Sequence, residues 1–248
     1  MRRDFIANVS HELRTPLTVV GGFVETLADT QDLPVAESRR YFNLMLDHTQ
    51  RMQHLLDDLL TLSRLESDEH TLNDETVHVH DLARSLKSEA ESLSRGRHQV
   101  TLQMECDANI KGGMQEIRSA LSNLVSNAVR YTPEGGEITL AWRERAGEGV
   151  FSVTDTGEGI AAEHIPRLTE RFYRVDRSRS RETGGTGLGL AIVKHVLTRH
   201  GARLDIQSAP GKGSTFSVVF PAQRVRQPKV LVDGDNVIPF REREQAAG

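Results

Sequence analysis

Apolar residues are spaced in two different ways along this chain. Up to residue 66 they recur at steps of three and four. Phe5, Val9, Leu13, Pro16, Val20, Phe23 and Leu27 form one series, and Phe42, Met45, Thr49, Met52, Leu56, Leu59 and Leu62 a second. That period predicts two amphipathic helices, each with one apolar stripe. Asp29 to Val35, with its Asp-Leu-Pro, supplies the turn between them. Pro16 falls inside the first helix, where it removes a hydrogen bond and is expected to bend the axis. Two such helices cannot bury their stripes alone. The economical solution is two copies closing a four-helix bundle about a two-fold axis, so a homodimer is expected.

Residues 67–75, largely the polar and acidic run SDEHTLND, read as a linker. Beyond it the pattern changes to short alternating runs broken by helical ones. Strands are expected at Thr76–Val79, Gln99–Cys106, Glu137–Arg143, Val150–Thr154, Arg203–Ser208 and Ser214–Phe220. Helices are expected at His80–Ser94, Met114–Tyr131 and Leu188–His200. Interleaved in this way, they predict an α+β two-layer sandwich over residues 76–222, one sheet with helices on one face. Asp155 to Gly187 has little strand pattern, and a stretch of that length in a compact domain is usually a functional lid. Residues 223–248, with Pro228, Pro239 and a terminal Ala-Ala-Gly, read as a loosely ordered tail.

Composition narrows the class. Among 248 residues, 37% are hydrophobic, 27% charged and 20 are glycine, values of a globular chain rather than a disordered or collagen-like one. A single cysteine, Cys106, excludes an intrachain disulfide and a cysteine-based zinc site. The net charge of −4 gives no overall pull toward nucleic acid or anionic membrane. No run reaches the ~18 apolar residues of a membrane span, and no signal peptide opens the chain. A soluble, intracellular-type polypeptide is expected.

Four motifs carry candidate chemistry. On the first helix, Val9 and Leu13 face the bundle, which turns His11 about 200° away, toward solvent. Asn8 and Thr15 share its face and Glu12 stands beside it. Taken alone, a solvent-facing histidine is ordinary surface. With a carboxylate and a hydroxyl beside it, a neutral imidazole is also a competent nucleophile whose proton has somewhere to go. On the helix Met114–Tyr131, Asn123 and Asn127 lie one turn apart next to the core stripe, followed by Arg130 and Tyr131. Amide oxygens suit magnesium and an arginine suits phosphate, although paired asparagines also bond local backbone. The strand Val150–Thr154 runs into Asp155-Thr-Gly157-Glu-Gly159-Ile160, a carboxylate followed by glycines that let a flat ligand approach. By itself it is an ordinary turn. Last, Gly184-Gly-Thr-Gly187-Leu-Gly189 opens a helix, an anion site by its dipole and free amides. It matches neither GxxxxGK[ST] nor GxGxxG. With the basic stretch Arg171, Arg174, Arg177, Arg179 and Arg181, these are the parts of a nucleotide site without a P-loop.

Together they resemble a known family. Phe5-Ile-Ala-Asn-Val-Ser-His11-Glu-Leu-Arg-Thr15-Pro-Leu is similar to the phospho-acceptor box of sensor histidine kinases. The asparagine helix resembles their N box, Asp155–Gly159 their G1 box, Arg171–Arg174 their F box and Gly185–Gly189 their G2 box. Order and spacing agree over residues 1 to 221. RRDFIANVSHELRTPLTVVGGFVETL and EHIPRLTERFYRVDRSRSR resemble the phosphate-regulon branch of that family.

The resemblance implies a fold and a set of roles. The fold is an all-α helical hairpin (residues 1–66) that dimerises as a four-helix bundle. It is followed by an α+β two-layer sandwich ATP-binding domain of the GHKL type. His11 would be the phosphorylated nucleophile, Glu12 the neighbouring acid/base, and Thr15 would orient water when the same surface dephosphorylates its partner. Asn127 with Asn123 would hold Mg2+. Tyr131 would pack near the adenine of ATP and Asp155 would accept its amino group. Arg130 stands where the family often has lysine. Gly157, Gly159, Ile160, Tyr173, Arg174, Gly185, Thr186, Gly187, Leu188, Gly189 and Thr215 complete the implied nucleotide contacts. The implied partners are a second copy and the receiver domain of a response regulator, with no nucleic acid, and with membrane reached only through a sensor region outside this chain. The chain is thus expected to be a cytoplasmic fragment of an inner-membrane protein. Two competitors differ in kind: an ATPase of the gyrase, Hsp90 and MutL type, and a scaffold that holds nucleotide and a receiver domain without phosphorylating.

Overall fold

The computed structural model describes residues 2–30, 33–66, 72–175, 185–228, 230–233 and 236–239. Arg177, Arg179 and Arg181, Gly184, and residues 67–71 of the expected linker lie outside them. The chain divides into two compact units, Met1–Asp68 with Arg167–Ile192, and Glu69–Pro166 with Val193–Gly248.

In the first unit, the stepped apolar series form α1 (Arg2–Asp29) and α2 (Val35–Glu66). Helix α1 runs through Pro16, which is buried. Serine and threonine hydroxyls along α1 fold back on carbonyls four residues earlier, as Ser10 does on Ile6 and Thr18 on Arg14. Pro34 stops the turn, its carbonyl accepting the N–H groups of Glu37 and Ser38. The helices meet where Phe23 and Tyr41 stack, ring centroids 5.1 Å apart. Of the stripe expected on α2, Leu62 is buried, whereas Phe42, Thr49 and Leu56 are exposed, and Leu55 and Leu65 are buried instead. The apolar face of α2 is wider than one helix can cover. Ile6, Leu17 and Val24 on α1, with Val35, Phe42, Leu46, Leu56 and Leu60 on α2, remain exposed.

The second unit is built on a five-stranded sheet of order β2-β4-β5-β7-β6. Its strands are β2 (Gln99–Met104), β4 (Glu137–Arg145), β5 (Glu148–Asp155), β6 (Arg203–Ser208) and β7 (Ser214–Phe220). β2 and β4 run parallel and the other pairs antiparallel. The register aligns Leu102, Leu140, Val153 and Phe216 across four strands, and one step on Met104, Trp142, Phe151 and Val218. The other pleat carries Thr101, Thr139, Thr154 and Thr215, whose hydroxyls pair across strands at 2.9 and 3.0 Å. Alternation of period two thus gives the sheet one apolar face. Helices α3 (Val79–Ser94) and α4 (Met114–Tyr131) pack on it, burying Leu82, Leu86, Ile117, Leu121 and Leu124. Helix α5 (Gly189–Arg199) buries Val193, Val196 and Leu197.

A second sheet, β1-β3-β8, was not foreseen in full. β1 (Glu75–Val77) pairs with β3 (Asn109–Gly112), and β3 with β8 (Val225–Arg226). β3 is four residues long and ends on Gly112 beside Gly113, which hides it from a pattern search. The region read as a loose tail therefore opens with a paired strand. Arg224 anchors it by donating to the carbonyls of His200 and Lys111 and to the Asp74 carboxylate. Farther on, β9 (Val230–Asp233) pairs antiparallel with β10 (Asn236–Pro239).

Candidate functional site

In the first unit His11 is exposed on α1, and the Thr15 hydroxyl one turn on donates to the His11 carbonyl at 3.2 Å. Glu12 points to two guanidinium groups. Its Oε2 accepts from Arg174 Nη2 at 3.1 Å and from Arg51 Nη2, on α2, at 3.5 Å. Arg174 is nearly buried and also donates to the Gly185 carbonyl.

The segment around Arg174 is held along its length. Phe5 meets Phe172 with ring centroids 5.8 Å apart, Arg171 lies over Phe5 and pairs with Glu66, and Arg167 lies 4.3 Å over the Tyr173 ring. Phe172 adopts a positive φ of 61°, rare for an aromatic residue, and donates its N–H to the Gly187 carbonyl at 2.8 Å. Gly187, itself at φ 73°, admits no side chain, because a Cβ would stand 2.9 Å from Phe172 Cα. Only glycine lets the two ends of this stretch close on each other. The Thr186 hydroxyl donates to Asp58 at 2.6 Å and accepts the Leu188 N–H at 3.2 Å. Gly185 and Leu188 are buried, and Gly189 begins α5.

In the second unit Asn123 and Asn127 are half-buried, one turn apart on α4. Asn123 Nδ2 donates to the Ser119 carbonyl at 2.9 Å, which fixes the amide with its oxygen as the remaining ligand atom. Arg130 is half-buried and Tyr131 exposed at the helix end. α4 packs against β5, whose last residue is Asp155, 7% exposed. Asp155 Oδ1 accepts the Gly157 N–H at 2.8 Å. Burial pushes its carboxyl above the usual carboxylate range, while N–H donors from Gly157 and Ser214 pull the other way.

Around Asp155 the chain packs backbone on backbone. Gly157 lies against the Tyr131 carbonyl, and Gly159, at φ 69°, so close to the Ala209 carbonyl that a Cβ would overlap it. Ile160 donates its N–H to Ser208 Oγ at 2.8 Å. A cavity of about 290 Å³ at these strand ends is lined by Asp155, Ser208, Lys212, Gly213 and Thr215, among others. Thr215 stands on the opposite pleat from Asp155, paired with Thr154, whereas Ser214 shares the Asp155 face.

The expected residues fall into two sets. His11, Glu12, Thr15, Tyr173, Arg174 and residues 185–189 lie in the first unit, and the asparagines, Arg130, Tyr131, Asp155, Gly157, Gly159, Ile160 and Thr215 in the second. Arg51 and Asp58 carried no sequence signal, because their partners are far along the chain. Lys212 and Ser214 belong to Pro-Gly-Lys-Gly-Ser, which alone reads as a hairpin turn. Among the described residues no group of three or more His, Cys, Asp or Glu could hold a metal ion, and no helix is long and apolar enough to cross a membrane. The oxygen donors on α4 do fit magnesium, which takes few protein ligands and completes its shell with water and phosphate.

Residues 1–68 match the family model of the His Kinase A (phospho-acceptor) domain, and residues 112–224 that of the histidine kinase-, DNA gyrase B- and HSP90-like ATPases. The chain is 53% identical over 225 residues to the phosphate regulon sensor protein PhoR of Pseudomonas aeruginosa, an alignment covering 90% of this chain and 51% of that protein. It spans about half the length of the curated relatives it matches. Full-length ShkA, solved in complex with AMPPNP, is 27% identical with a TM-score of 0.64 over 88% of this chain and 45% of that one. Histidine kinase ThkA, solved with response regulator TrrA, shares the fold at a TM-score of 0.72 and 22% identity, over 88% of this chain and 61% of that one.

Proposed function

Since this chain belongs to the sensor histidine kinases, we propose that it binds Mg-ATP, phosphorylates its own His11 and passes the phosphoryl group to an aspartate of a response regulator. The observation that carries this reading is His11 itself. It is an exposed helical imidazole with a carboxylate beside it that two arginines hold, on a chain whose other unit offers a buried acceptor and amide ligands.

The chemistry follows from these side chains. A neutral ring nitrogen of His11 attacks the γ-phosphorus, and an N–P bond forms as the bond to the β,γ-bridging oxygen breaks. That electron pair leaves on ADP, and Glu12 takes the ring proton. Asp155 accepts the adenine amino group while Gly157 and Gly159 let the ring approach backbone. Tyr131, Ile160 and Tyr173 give it apolar surface. Arg130, Arg174, Thr186 and the amides of residues 185–189 meet the phosphates, the last at a helix start that favours anions. Asn127 and Asn123 would hold Mg2+, whose charge offsets that of the phosphates. The AMPPNP complex of ShkA supports the nucleotide.

The exposed apolar faces of α1 and α2 support a homodimer through these helices. The linker at 67–75 would let the nucleotide unit reach His11. Thr15 would orient water for dephosphorylation of the regulator. Likeness to PhoR supports a role in phosphate signalling, with a sensor region outside this chain anchoring the whole protein in a membrane.

The test is incubation with γ-labelled ATP and magnesium beside a His11→Gln control. Acid-labile, alkali-stable label absent from the variant is the expected result. Hydrolysis without protein label would turn the reading to an ATPase, and nucleotide binding without either would turn it to a scaffold.

A further inference from the structure

We propose that Arg51 is a positioning residue for phosphoryl transfer, holding Glu12 so that one carboxylate oxygen faces the imidazole of His11. This rests on the reading of Glu12 as the acid/base given above.

A glutamate on a helix surface has three rotatable bonds and samples many positions, whereas proton transfer needs the acceptor within hydrogen-bond reach. Both guanidinium contacts fall on Glu12 Oε2, which leaves Oε1 to take the ring proton. The two arginines differ in what fixes them. Arg174 stands beside Phe172 at its positive φ, and the family resemblance gives it a second task at the phosphates. An arginine occupied by phosphate no longer holds Glu12. Arg51 is not among the residues that the resemblance places at the phosphates. It rises from α2 one turn before Leu55, which is 3% exposed, and its own side chain is 19% exposed. Its base is therefore set by helix packing, and its charge does not titrate in the working range. Arg51 gives up no proton; it stays on Oε2 while Oε1 gains one and ADP leaves.

The experiment measures initial autophosphorylation rates of the full chain against Mg-ATP concentration for parent, R51Q, R51K, E12Q and the double variant R51Q/E12Q, with a melting curve for each. Expected for R51Q is a loss of about tenfold in kcat with KM for ATP unchanged, a part of the roughly 10²–10⁴-fold that a positioned acid/base contributes. R51K should regain part of it. In the E12Q background, R51Q should cost nothing further, because its effect runs through that carboxylate. Should R51Q melt early, the same cycle run with R51K, which keeps the charge and the stem, decides the matter. Unchanged kcat in R51Q, or losses that multiply across the double variant, would overturn the proposal. A parent chain that takes no label at His11 overturns the functional reading itself, which is a separate and visible outcome.

Discussion

The helical hairpin and the sheet unit treat apolar residues in opposite ways. In α3, α4 and the five-stranded sheet the large apolar side chains are buried, among them Trp142, Phe151, Leu121 and Phe220. On α1 and α2 many of them lie at the surface, Ile6, Leu17, Phe42, Leu46 and Leu60 included. The candidate residues divide the same way, for Asp155 is buried and His11 exposed. A unit that must hold a small ligand needs a finished core and a fixed acceptor. A unit that must offer one side chain to several reactants keeps that side chain outside and leaves its apolar face for a partner.

The largest effect should come from that uncovered face. Replacing Leu46 and Leu60 with aspartate would remove four leucines from the proposed two-fold interface, each worth about 1.5–3 kcal/mol when buried. The dimer constant should weaken by roughly 10⁴-fold or more, read by sedimentation, with nucleotide affinity unchanged. A doubly substituted chain that still sediments as the parent does would show that the bundle closes on other residues.

Asp155→Asn probes the opposite region and should separate binding from stability. Asparagine still accepts the Gly157 N–H but receives the adenine amino group less well. Affinity for a fluorescent ATP analogue should therefore fall by about 100-fold, equivalent to the ~3 kcal/mol of a mispaired buried group. Burial raises the Asp155 carboxyl above the value of about 3.9 it has when unfolded. Just above that pH the folded chain keeps the proton that the unfolded chain has released. Stability from this group is thus lost as pH rises through the window, and at neutral pH a charge sits buried. The variant should melt higher than the parent at pH 7, and the gain should vanish below about pH 3.9. A variant that binds as the parent does would remove Asp155 from the nucleotide site.

How far the sequence reaches follows from this contrast. β6, β7 and α4 were legible to the residue because each pairs a clean period with a Gly, Ser or Thr boundary. The residues around His11, Asn127, Asp155 and Gly187 could be named as candidates because each motif is contiguous in the sequence. Arg51 on Glu12, Asp58 on Thr186 and the β3–β8 pairing were not legible. Each joins residues dozens of positions apart, or lies in strands too short to show a period. Leu55, which is buried, was left off the expected stripe of α2 for a related reason. A helix with apolar residues on two faces has no single stripe to read.

The smallest effect is expected at a joint inside the sheet unit that no motif announced. His200 is fully buried. Its Nε2 accepts the Gly113 N–H at 3.0 Å, at the start of α4, and its Nδ1–H donates to the Val196 carbonyl at 2.8 Å, within α5. These partners require the neutral ring, since a proton on Nε2 would oppose the Gly113 N–H. Burial lowers its pKa below the ordinary value, and the Glu116 carboxylate, 3.9 Å away, offsets this only in part. The unfolded chain therefore binds the proton first, so the joint contributes fully above about pH 6.5 and is lost as pH falls below it. His200→Gln should cost about 2 kcal/mol in urea unfolding at pH 8, where two buried bonds are disturbed. It should also flatten the parent's loss of stability between pH 6.5 and 5.5. Because Gly113 begins the helix that carries Asn123 and Asn127, nucleotide affinity should fall with the same pH dependence, while dimerisation through α1 and α2 stays as it was. An equal pH slope in parent and variant would remove His200 from this role and leave α4 anchored by its packing on the sheet alone.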